Sequence, residues 1–144
     1  MRARGSNQTA ARGRSASPLD AMNGFAVLFP ELLATFGAEL EAAGNAYLAN
    51  ELRGCKVRSV HYDPDADAAT IVLASPRDLN LVERRVIGER YETSIPVSGA
   101  YTAHVDVDNF DRALCIEILA PPADLRAKLT AMAASNNRWS GRGD

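Results

Sequence analysis

Cysteine is scarce in this chain: Cys55 and Cys115 are the only two in 144 residues, and no CxxC occurs. A disulfide-stapled scaffold is thereby excluded, and a reducing cytoplasm is the expected home. Long apolar runs are missing too. Gly24 to Phe29 is uncharged and apolar but is stopped by Pro30 and Glu31, far short of the ~20 residues that a membrane span requires. Neither GxxxxGK[ST] nor GxGxxG is present, so no phosphate cradle is written here, and the absence of GxSxG removes the usual serine nucleophile. Histidine is limited to His61 and His104.

What remains is ample for one globular domain. The residues are 47% hydrophobic and 24% charged, with a formal net charge of -2. The charge is unevenly placed. Met1 to Asp20 holds Arg2, Arg4, Arg12 and Arg14 against a single acid, a balance of +3, so the rest of the chain carries -5. Residues 1–17 contain no large apolar side chain after Met1 and read as a disordered Arg-rich tail, with Met22 as an alternative start. The four arginines are the candidate contacts to nucleic acid; the body is too acidic for a phosphate-tracking surface.

Residues 18–54 read as helical. A first piece from Leu19 to Leu28 ends before Pro30, which suits the first turn of a second helix running to about Leu52. Leu33, Phe36, Leu40, Ala43 and Tyr47 fall on one side of that helix, and Arg53-Gly54 supply its stop, with Gly54 free to turn left-handed. The stripe packs either on the chain's own sheet or on the same helix of a second subunit. Beyond Gly54 the period changes to two. Lys56 to His61 and Ala69 to Leu73, joined by an acidic turn, form a hairpin; Tyr91 to Val97, Tyr101 to Val107 and Leu114 to Leu119 are three further strands. Pro96 implies an edge or a bulge. Leu79, Val82 and Val86 suggest a short amphipathic insertion, and Asp124 to Ala134 a helix with Leu125, Leu129 and Met132 on its apolar face. The expected fold is therefore α+β: a mainly antiparallel five-stranded sheet, covered by an N-terminal amphipathic helix and a C-terminal helix. Residues 55–134 form this β-rich domain and 135–144 a polar tail.

Three segments carry a resemblance: Tyr62-Asp63-Pro64-Asp65-Ala66-Asp67-Ala68 before an apolar strand, Asp106-Val107-Asp108, and Ile116-Glu117-Ile118-Leu119. Together they resemble the small β-rich proteins grouped as domain of unknown function 2283, over roughly residues 61–121. The resemblance implies a fold and no activity. In that family a glycine usually follows DxD in the turn and another precedes IEIL; here Asp111 and Cys115 take those places, so a different turn geometry is expected. Asp67, Asp108 and Glu117 are the structural or functional carboxylates. Acids in the turns can accept backbone amides, and alternation places Glu117 opposite Ile116 and Ile118, facing solvent or a covering helix.

The sharpest chemical candidate is a metal site. His61 with Asp63, and His104 with Asp106, are each two apart, a spacing that puts both side chains on one face of a strand. Brought together on adjacent strands, the four would suit zinc, manganese or non-haem iron. A calcium loop at Asp63-Asp65-Asp67 is excluded, since Ala68 stands where glycine is needed and Ala74 where a bidentate glutamate should be. Cys115, inside an apolar strand, reads as buried and inert; Cys55, beside Lys56, as the more exposed thiol. Arg77, Arg84, Arg85 and Arg90 read as a solvated basic face. The leading functional expectation is a non-enzymatic cytoplasmic interaction module, homodimeric and without cofactor or membrane contact. A divalent-metal protein or enzyme and an accessory nucleic-acid binder are the alternatives.

Overall fold

A computed structural model of the chain describes residues 23–77, 93–97 and 102–135. The arginines of the N-terminal segment, the start of the first helical piece, the insertion carrying Leu79, Val82 and Val86, Arg84, Arg85 and Arg90, and residues 136–144 lie outside the described residues. Helix α1 (Phe25–Leu28) is a single turn that buries Phe25. Phe29 breaks it, with φ -133° and ψ 60°, because the ring of Pro30 disfavours the α region for the residue before it. Pro30 then opens α2 (Pro30–Ala42), with Glu31 in its first turn near the positive end of the dipole.

The single helix expected from Pro30 to Leu52 is two. Gly44 takes φ +88°, its amide donates to Glu41 O at 3.1 Å, and the Asn45 amide donates to Leu40 O at 2.7 Å. These are the two bonds of a Schellman stop, which closes α2 before α3 (Ala46–Gly54) begins. The stripe accordingly changes phase. Leu32, Phe36 and Leu40 are buried on α2 and Leu48, Ala49 and Leu52 on α3, while Ala43 and Tyr47, expected on the same side, are exposed. Gly54 has a different reason from the one expected. It lies within α3 without a left-handed backbone, and a Cβ there would come within 3.0 Å of the ring of Pro76, so close approach is what favours glycine.

Strands β1 (Lys56–Asp63), β2 (Ala68–Ala74), β3 (Thr93–Val97), β4 (Thr102–Val107) and β5 (Ala113–Leu119) form one antiparallel sheet in the order β1-β2-β5-β4-β3. Helix α4 (Ala123–Ala134) follows Pro121-Pro122, burying Leu129 and partly burying Leu125 and Met132. The architecture is α+β, as the period change at Gly54 implied. Pro96 lies on the edge strand β3, where its missing N–H costs no ladder bond. One face of the sheet, carrying Val60, Ile71, Ile116, Val105 and Ile118, packs against Phe25, Phe29, Phe36, Leu40, Leu48, Leu52 and Leu129 in a single core. Each such fully buried side chain contributes about 1.5–3 kcal/mol, which is why the helical stripe is used up inside the chain.

The turns are built from carboxylates. Asp63 Oδ1 accepts the amides of Asp65 at 3.0 Å and Ala66 at 3.4 Å. Asp108, 2% exposed, accepts the amides of Phe110 at 2.8 Å and Arg112 at 3.0 Å on Oδ1, and Arg112 Nε at 2.9 Å on Oδ2. Asp111 adopts φ +62°, so the turn keeps a left-handed position without the glycine. Aspartate is among the few side chains that tolerate that region.

Candidate functional site on the face of the sheet opposite the described helices

Because side chains alternate along a strand, every second residue points away from the core. The ladder aligns His61, Thr70, Glu117, His104 and Pro96 in one row across β1, β2, β5, β4 and β3, and Val72, Cys115, Asp106 and Ser94 in the next. None of the described helices covers this face. Its polar centre lies on β3, β4 and β5. His104 Nε2 stands 3.2 Å from Glu117 Oε1 and 3.4 Å from Asp106 Oδ1. Ser94 Oγ donates to Asp106 Oδ1, and Cys115 Sγ to Asp106 Oδ2 at 3.4 Å. Nε2 of His104 lies between two carboxylates, one on its own strand and one on β5. The thiol thus donates to the same carboxylate that accepts the Ser94 hydroxyl.

The four residues proposed as metal ligands do not converge. His61 and Asp63 are on β1, His104 and Asp106 on β4, and β2 and β5 run between them, placing the histidines three strand spacings, roughly 14 Å, apart. His61 Nε2 instead lies 3.1 Å from Ser59 Oγ, and Asp63 is engaged by its own turn. Among the described residues no group of three or more His, Cys, Asp or Glu is arranged to hold a metal ion. His104, Asp106 and Glu117 are the site residues that the fold does bring together. Glu117 lies on the face opposite the core residues Ile116 and Ile118, as its alternation implied.

The two thiols exchange the roles expected of them. Cys55 is 1% exposed, and burial, reinforced by the Glu51 carboxylate and only partly opposed by Arg77, pushes it up to about 12. Cys115 lies on the face opposite the described helices, because the apolar run around it alternates. The remaining carboxylates are architectural. Asp67, at φ +50°, accepts Tyr62 Oη at 2.7 Å and Arg126 Nε at 3.1 Å, and its carbonyl accepts the Ala120 amide at 2.8 Å, so the hairpin turn is tied to the start of α4. The Tyr62 hydroxyl, then Arg126, hold its carboxyl below the ordinary range against the opposing effect of desolvation. Burial raises the Asp108 carboxyl, but the Arg112 and Phe110 amides and the Arg112 guanidinium together outweigh it, and the net shift is downward.

Glu51 escaped the sequence reading. Its buried carboxylate accepts Arg77 Nε at 3.0 Å on Oε1 and the Ala113 amide at 2.9 Å on Oε2. The signal was present: a charge between Leu48 and Leu52 on the apolar side of a helix needs an internal partner. Arg77, assigned above to a solvated basic face, also donates to Phe110 O at 2.9 Å and so clamps the β4–β5 turn. Comparison of the chain with protein-family models, with curated proteins and with solved structures finds no match.

Proposed function

We propose that the chain is a small non-enzymatic protein-interaction module of the cytoplasm that works as a homodimer, with the face of the sheet opposite the described helices as its contact surface. The observation that carries this reading is the one-sided packing of the described helices: those that were candidates for pairing pack into the chain's own core, and among the described residues the opposite face keeps a mixed surface. Val72, Thr70, Ala68 and a half-exposed Leu119 stand there beside the His104–Asp106–Glu117 cluster. Such a mixture of apolar and hydrogen-bonding groups is typical of interfaces between separately folded partners. The sheet edges are poorer candidates. Pro96 interrupts β3, and β1 carries a bulge between Val57 and Ser59 together with exposed Lys56, Arg58 and Asp63, all devices that discourage strand addition.

The likeness to domain of unknown function 2283 is proposed as a kinship of fold over residues 61–121. It is supported by the duties of its motif residues, since Tyr62, Asp67 and Asp108 hold turns and a helix in place. Light scattering over a concentration series tests the functional reading. A concentration-dependent dimer is expected, weakened at least about tenfold by Val72→Arg with the melting temperature unchanged, which corresponds to about 1.4 kcal/mol. A monomer at every concentration would remove the homodimer, and a dimer indifferent to Val72→Arg would remove this face as its surface.

A further inference from the structure

We draw no further inference here: the strongest candidate, the Ser94, His104, Asp106, Cys115 and Glu117 cluster on the face of the sheet opposite the described helices, belongs to the site already described, and nothing in the structure shows what covers it.

Discussion

Ala120 holds φ at +50°, in the left-handed region, with an exposed methyl group that adds nothing to the core. Ala120→Gly should therefore raise the unfolding free energy read from urea denaturation, by up to about 1 kcal/mol, because the backbone strain is relieved while the amide still reaches Asp67. Gly44→Ala is the mirror case. Nothing lies within 4 Å of a Cβ there, so the strain of φ +88° alone should cost about 1 kcal/mol. Asp108 couples a single carboxylate to pH. Its folded value lies below the unfolded one, so its contribution is complete above the ordinary aspartate range near pH 4 and is lost as the pH falls through the folded value. Denaturation at pH 7 and pH 3.5 should show this loss, and Asp108→Asn should be about 1.5–3 kcal/mol less stable at pH 7 with a flatter acid limb. An unchanged acid limb in that variant would move the effect to other carboxylates.

At the scale of elements, α3 and β5 are joined by Glu51. Glu51→Ala leaves the Ala113 amide buried without its acceptor, and the expected cost is about 2 kcal/mol; the half-exposed Arg77 adds little to it. Glu51→Gln, which keeps an acceptor for that amide, should recover much of the loss in the same chemical denaturation. The helix containing Glu51 also explains why Cys55, at its end, should resist iodoacetamide at pH 8 until the chain is unfolded. The strands and the break before Pro30 were legible in the sequence, because alternation and proline geometry act over a few residues. The division of the long helix was not. Ala43 and Tyr47 prolong the apolar spacing across Gly44, and one glycine inside a helix costs only about 1 kcal/mol, too little to announce a stop. Cys115 was misplaced for a related reason: an apolar run hides which of its members face the core.

For the whole molecule, the decisive quantity is the order of the strands, and local pattern does not encode it. The spacing of two puts His61 with Asp63, and His104 with Asp106, on one face of a strand each, and says nothing of how far apart the two strands lie. Whether the pairs meet depends on which strands are neighbours, and β2 and β5 both lie where the metal reading needed direct contact. The same order gives the proposed surface its breadth, since five strands contribute to it. In a two-fold dimer each substitution on that surface enters the contact twice, once from each copy, so Val72→Arg acts on both halves at once.

The position of β5 has a bearing on synthesis. The last of the described strands to leave the ribosome is the middle one of the sheet, flanked by two hairpins that do not pair with each other. Nascent chains halted before Ala113 would hold two separate ribbons with bare inner margins, and completion of the sheet must wait until Ala113–Leu119 has been made.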